Sequence, residues 1–212
     1  MNPAILVQTL AIDCATENCS AGLFANGELA GGDCRTLGRG HAEHLVPMIA
    51  ALPGQGRADR IAVSLGPGSF TGVRIGLATA RALALAWGAQ VIGYPTLALV
   101  SAMARAQAGA VPVSVVMTGG HGEWFVQEFD ADGRSLAPLA SLRPDDAARL
   151  SRTDLVAGSQ AEALVALRGY GTALPILPDA RQFALLDETA LVADAAPLYG
   201  RAPDAKLPGQ AQ

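Results

Sequence analysis

Lysine is almost missing from this chain: fourteen arginines accompany a single lysine, Lys206, in a Pro/Gly-containing tail. That count excludes a Walker-type lysine in any glycine-rich loop and argues against a buried Schiff-base lysine. Cysteine is scarce too, with Cys14, Cys19 and Cys34 all in the first 34 residues and no Cys-x-x-Cys. An odd number in that spacing argues against a disulfide framework or a zinc knuckle and predicts reduced packing residues. No apolar run reaches the roughly 18 uncharged residues of a membrane span, because Arg74, Arg81 and Pro112 interrupt the longest ones. The start, Met-Asn-Pro-Ala-Ile-Leu-Val-Gln, lacks a basic segment ahead of its short apolar run, so a secretory signal is not expected and the cytosol is the expected compartment. Basic clusters are absent and the net charge is −4, so tight nucleic-acid binding by this chain alone lacks its electrostatic footprint.

What the chain does have is apolar mass. Half of its 212 residues are hydrophobic and the mean hydropathy is +0.29, enough for a sizeable buried core in one large domain or two small lobes. Thr9 to Asp13, Cys19 to Ala25 and Glu28 to Arg35 read as three strands, the last two joined by Asn26-Gly27, whose type I′ turn needs positive φ at both residues. A helix follows from about His41 to Leu52, with Leu45, Met48, Ile49 and Leu52 on one face and Pro47 as a kink. Arg60 to Leu65, Val73 to Trp87 and Gln90 to Tyr94 read as strand, helix and strand, a right-handed unit with parallel strands. From Val111 the opening pattern restarts: Val111 to Val116, a polar turn at Thr118 to Gly122, Glu123 to Asp130, then Asp132-Gly133. Helix starts are predicted at Pro144 and Ser159, and a last helix over Ala180 to Asp194. These readings divide the chain into 1–100, 101–200 and a loose tail, 201–212.

The segment Ser64-Leu65-Gly66-Pro67-Gly68-Ser69-Phe70-Thr71-Gly72-Val73-Arg74-Ile75-Gly76 sets a tight turn between a strand and a helix, where Ser69 or Thr71 can cap and exposed amides could hold an anion. Within the helix, Gly72, Gly76, Ala80, Ala84 and Gly88 recur every fourth residue, a ridge of small side chains that lets a neighbour approach closely. Glycine costs about 1 kcal/mol relative to alanine in a helix, which close packing offsets. Spacing alone leaves open whether the neighbour is the chain's own sheet or another subunit.

The undecapeptide Gly-Pro-Gly-Ser-Phe-Thr-Gly-Val-Arg-Ile-Gly at 66–76 resembles the TsaB (YeaZ) family, as do Ala11-Ile12-Asp13-Cys14-Ala15-Thr16-Glu17, His41-Ala42-Glu43 with Leu45-Val46-Pro47-Met48-Ile49, and Pro197-Leu198-Tyr199. The resemblance implies an α/β, actin-like (ribonuclease H-like) two-lobed fold, each lobe a mixed sheet led by antiparallel hairpin strands with flanking helices. It also implies a non-catalytic subunit that forms homodimers when alone and pairs with the catalytic TsaD. Together with TsaE, that complex transfers threonylcarbamoyl to N6 of adenosine 37 in tRNAs reading codons that begin with A. On this reading Gly72, Gly76, Ala80, Ala84, Arg74, Arg81, His41 and Leu45 form the partner face, ATP and Mg²⁺ belong to the partners, and tRNA is met only through the complex.

Two other readings stay open. Asp13 and Thr16 fall where an actin-like fold has its first phosphate hairpin, and Gly119 and Gly120 where it has its second, so a small-molecule kinase or nucleotide hydrolase would use them as clamps. Here Thr118-Gly119-Gly120 replaces the family's usual Asp-Ala-Arg, and without a second acid Asp13 reads rather as a turn cap. His41 and His44, at i, i+3, with His121 would supply a metal-dependent hydrolase; otherwise His41 is an exposed first-turn residue.

Overall fold

The computed structural model describes residues 7–200. Two five-stranded mixed sheets share one connectivity. In the first, β1 (Gln8–Asp13), β2 (Asn18–Ala25) and β3 (Glu28–Thr36) form an antiparallel meander, and β4 (Arg60–Ser64) and β5 (Gln90–Tyr94) add parallel to β1, giving the order β3-β2-β1-β4-β5. In the second, β6 (Val113–Thr118), β7 (Trp124–Phe129) and β8 (Ala140–Leu142) form the meander, and β9 (Leu155–Ala157) and β10 (Thr172–Leu174) lie parallel to β6. Helices α1 (His41–Ala50) and α2 (Phe70–Trp87) join the strands of the first sheet as α4 (Pro144–Leu150) and α5 (Ala161–Arg168) join those of the second. The echo in the sequence is thus a repeated fold unit.

Helix α3 (Thr96–Ala108) connects the halves and is buried on both sides. Leu97, Val100 and Ala104 pack on the second sheet with Val113 and Val115, while Leu99 and Met103 pack on the first with Ala62 and Tyr94. The outer faces are closed by α1 and α2 over Leu10, Ile12 and Val63, and by α5 and α4 over Val116 and Val156. Strand β1 alternates accordingly, with Leu10 and Ile12 toward α1 and α2 and Ala11 toward α3.

Several expectations hold. Asn26 (φ 52°) and Gly27 (φ 85°) both adopt positive φ, as the hairpin requires. The expected helix forms over His41–Ala50, with Pro47 inside it. Others are corrected. The second meander begins at Val113, two residues later than expected, after Gly109 and Pro112 break the chain. No helix spans Ala180 to Asp194; short 3₁₀ turns at Ala180–Leu185 and Glu188–Ala190 stand there instead. The side chains of Asp179 and Asp187 accept from the amides two residues on, Arg181 (2.9 Å) and Thr189 (2.8 Å), a local bond that competes with helix extension. Phe183 is thereby placed between Phe24 and Tyr94. Beyond it the chain bridges β5 at Val192–Gly93 and returns along α2. The predicted tail, 201–212, lies outside the described residues.

Candidate partner face and polar strand ends

The turn after β4 and the start of α2 are fitted to the turn after β1. Ser69 caps α2 by accepting from the Gly72 amide (3.2 Å), and its own amide donates to Ala15 O (2.7 Å). A Cβ on Gly72 would stand 1.9 Å from Cys14 O, and one on Gly68 2.0 Å from Ala15 O, so only glycine allows these backbones to touch. One turn on, a Cβ at Gly76 would meet Val63 at 3.5 Å and Cys14 at 3.8 Å, which are ordinary contacts.

The small-residue ridge therefore faces the chain's own sheet. Gly72, Gly76, Ala80 and Ala84 are all buried, as is Leu45 of α1, so within the chain these residues face its own core. Four-residue spacing defines a stripe but carries no information about which neighbour fills it. The surface that α1 and α2 leave open lies on their other side, where Leu85 is 88% exposed, Phe70 57% and Val46 50%, with Ala78 and Ala82 between. Arg74 and Arg81 sit on that side, yet both already have partners. The Arg74 guanidinium lies 3.6 Å over the Phe70 ring and donates to the Tyr199 hydroxyl (3.3 Å), and Arg81 donates to Ala195 O (2.9 Å).

His41 is not an exposed first-turn residue. It is buried, and its Nε2 lies 2.9 Å from Thr16 O and 3.2 Å from Asn18 O, so the ring carries its proton on Nε2 and ties α1 to the β1–β2 turn. His44 remains exposed. Among the described residues, no three histidine, cysteine or acidic side chains are grouped as a metal site needs.

At the carboxyl ends of β1, β4 and β5 sits a closed polar cluster. Asp13 has no exposed surface; its Oδ1 accepts from the Ala15 amide (2.9 Å), the turn-capping geometry. The Tyr94 hydroxyl donates to Ile12 O (2.9 Å) and lies 3.4 Å from Asp13 Oδ2, and Ser64 pairs with Thr96 at 2.6 Å. Burial pushes the Asp13 carboxyl up to about 6, against the pull of bonds from Ala15, Ser64 and Tyr94, and the charge of Asp179 adds to the push. Buried Asp13 presents nothing to a phosphate. Thr16 is half-buried, with its hydroxyl accepting from the Asn18 amide (3.3 Å).

The second hairpin is likewise committed to itself. The Gly119 amide donates to Glu123 O (2.9 Å), a Cβ there would stand 2.6 Å from that oxygen, and Gly120 O accepts from the Glu123 amide (3.1 Å). The Thr118 hydroxyl is held by Ser159 and Gln160. The polar partners Tyr94 and Thr96 were not singled out in the sequence, Ser64 only as the start of the glycine-rich segment, and the segment Pro178 to Arg181 that lies against the first hairpin was not singled out either. That segment receives Asn18 Nδ2 at Pro178 O (3.3 Å) and donates from the Ala180 amide to Ser20 (2.9 Å). One signal for it existed: Gly22 and Gly32 are opposite each other in register, and a Cβ on either would strike Arg181. A cavity of about 570 Å³ beside Pro112, Arg152 and Thr172 lies at the amino ends of the second sheet's parallel strands.

Comparison with known proteins places these features. The family model described as TsaD: tRNA N6-adenosine threonylcarbamoyltransferase matches residues 35–196, three-quarters of the chain. The chain belongs to this family, in its TsaB (YeaZ) branch. Its curated relatives include the tRNA threonylcarbamoyladenosine biosynthesis protein TsaB of Escherichia coli, 34% identical over 131 residues, 59% of this chain and 56% of that protein. The matched stretch thus spans about half the length of the curated relatives. Among solved structures, YeaZ from Pseudomonas aeruginosa superposes with a TM-score of 0.77 at 27% identity, covering 92% of this chain and all of that one. The ethanolamine utilization protein EutJ from Carboxydothermus hydrogenoformans shares the two-lobed, actin-like fold alone, with a TM-score of 0.52 at 13% identity over 88% of this chain and 92% of that one. In this chain the glycine-rich undecapeptide is the fitted junction between β4, α2 and the β1–β2 turn.

Proposed function

We propose that this chain is a non-catalytic, complex-forming subunit that supports a TsaD homologue in transferring threonylcarbamoyl to N6 of adenosine 37 of tRNAs reading ANN codons. The observation that carries this reading is the exposure of large apolar side chains on α1 and α2, Val46, Phe70 and Leu85, with Arg74 laid over the Phe70 ring. Exposed large side chains grouped on two adjacent helices are the kind of surface that a partner covers. On this reading the same side mediates self-association when the chain is alone, and the TsaD homologue displaces the second copy. TsaE and tRNA are then met in the assembled complex, in the cytosol, and nucleotide and Mg²⁺ are held by the partners.

Kinship with a family named for a transferase does not by itself make this chain a catalyst. The burial of Asp13 and the use of the Gly119 amide within its own hairpin speak against a phosphate clamp. His41 has both its contacts inside the fold, which speaks against the metal-hydrolase reading. A net charge of −4 favours contact with tRNA through a partner over direct binding.

The test is reconstitution of tRNA threonylcarbamoylation from the cognate TsaD, TsaE and adenylate-forming enzyme, with and without this chain. The expected result is modification that requires the chain, with none from the chain alone. Equal modification in its absence would refute the subunit role.

A further inference from the structure

Two thiols unused by the proposed partner face lie opposite each other beneath α2. The register that pairs Asp13 with Ser20 carries on to bring Cys14 opposite Cys19, and their sulfurs are 3.7 Å apart. Both are free and buried, at 2% and 0% exposure. The two thiols share a hydrogen bond in which either can donate; with Cys14 as the donor, Cys19 is held below its ordinary range and Cys14 raised above it, which makes Cys19 the more readily ionised. Cys34 is separate: β3 pairs it with Ser20, whose hydroxyl faces Ala180, and burial pushes its thiol up to about 11.

The four residues between Cys14 and Cys19 hold the starts of two helices. Ala15 O accepts from the Ser69 amide at the cap of α2, and Cys14 O is in backbone contact with Gly72. Thr16 O and Asn18 O accept from His41 at the first residue of α1. Any change in the span of this turn reaches both helices through those carbonyls.

We infer that Cys14 and Cys19 form a reversible thiol–disulfide site whose state sets how α1 and α2 seat on the turn between them. The oxidant class is a peroxide, small and uncharged enough to enter an apolar site. The Cys19 thiolate attacks one oxygen of hydrogen peroxide, the O–O bond breaks, and the sulfenic acid of Cys19 forms with release of hydroxide, which takes up a proton to become water. The Cys14 sulfur then attacks the Cys19 sulfur, the S–O bond breaks, and a second water leaves with the Cys14 proton. Two thiols and one peroxide thus give one disulfide and two waters, the two electrons passing from the sulfurs to the peroxide. The sulfurs must close from 3.7 Å to about 2 Å, which draws the ends of the turn together.

The experiment uses the full chain, reduced, then exposed to hydrogen peroxide and quenched under denaturing conditions with N-ethylmaleimide. Cleavage after glutamate separates all three cysteines, since Glu17 lies between Cys14 and Cys19 and Glu28 between Cys19 and Cys34. The expected products are a linked Cys14–Cys19 peptide pair and a maleimide-labelled Cys34, with dithiothreitol restoring three labelled cysteines. Hydrogen exchange should show lost protection at the Ser69 amide and at the start of α1 in the oxidised form. Three labelled cysteines after peroxide, sulfinic acid at either site, or linkage through Cys34 would each overturn the site. Linkage with unchanged exchange would overturn its effect on the helices. A Cys14→Ser variant should leave Cys19 unlinked and helix exchange insensitive to peroxide; if it does not fold, mapping of the native chain still decides.

Discussion

The hydroxyl of Tyr94 reaches across from β5 to the carbonyl of Ile12 on β1, 2.9 Å away, and in doing so lies over the carboxyl of Asp13. It is the lid of a small polar chamber in an otherwise apolar wall.

The chamber makes stability depend on pH in an unusual direction for an aspartate. Asp13 titrates at about 6 in the folded chain against 3.8 as its ordinary value, so between these the folded state holds more protons than the unfolded one. Stability therefore falls as pH rises from about 4 to 6, by up to about 3 kcal/mol. Asp13→Asn keeps an oxygen for the Ala15 amide and removes the charge. Urea unfolding across this window should give a flatter profile for the variant and a stability gain near pH 7; parallel profiles would refute the assignment.

Two glycines of one helix should respond oppositely to the same change. Gly76→Ala fits at ordinary contact distance and replaces a poor helix former, so a gain of up to about 1 kcal/mol is expected. Gly72→Ala drives a methyl into Cys14 O and should cost at least about 2 kcal/mol. Thermal unfolding of the pair measures the difference, and equal shifts would contradict the fitted turn.

Leu85, 88% exposed, should matter to assembly and not to folding. Leu85→Glu is expected to change stability by no more than about 0.5 kcal/mol while weakening association with a TsaD homologue, read by sedimentation. Val46→Glu should do the same from α1. Undiminished association in both would remove this surface from the complex.

Replacing His41 with alanine leaves Thr16 O and Asn18 O without their donor inside the fold, a loss of about 1–3 kcal/mol. Amide exchange should rise at the first turn of α1. An unchanged melting temperature would mean that the ring is replaceable there.

Much of the architecture was legible because local chemistry and tertiary packing agree. Asn26-Gly27 announced its hairpin, the apolar face of 41–52 its helix, and Ser69 or Thr71 a cap, of which the structure uses Ser69. The misreadings arose where the deciding partner is distant in sequence. Gly72, Gly76, Ala80 and Ala84 revealed a close approach, but Cys14, Ile12 and Val63, which receive it, lie elsewhere in the chain. His41 carries a polar ring at a helix start, and only carbonyls twenty-odd residues earlier turn it inward. Residues 180–194 have helical composition, yet Asp179 and Asp187 draw the backbone into separate short turns so that Phe183 reaches Phe24. Strands β8 and β10, three residues each, carry too short a pattern to register.

Helix α3 serves both sheets at once, and this fixes the mechanical character of the molecule. Swinging the halves apart would strip cover from Leu97, Val100 and Ala104 or from Leu99 and Met103, at about 1.5–3 kcal/mol for each large side chain uncovered. Jaws need a slack hinge, and here the hinge position is a shared wall. A load applied at Leu85 is thus borne by one stiff body, as a bracket transmits force from one arm to the other.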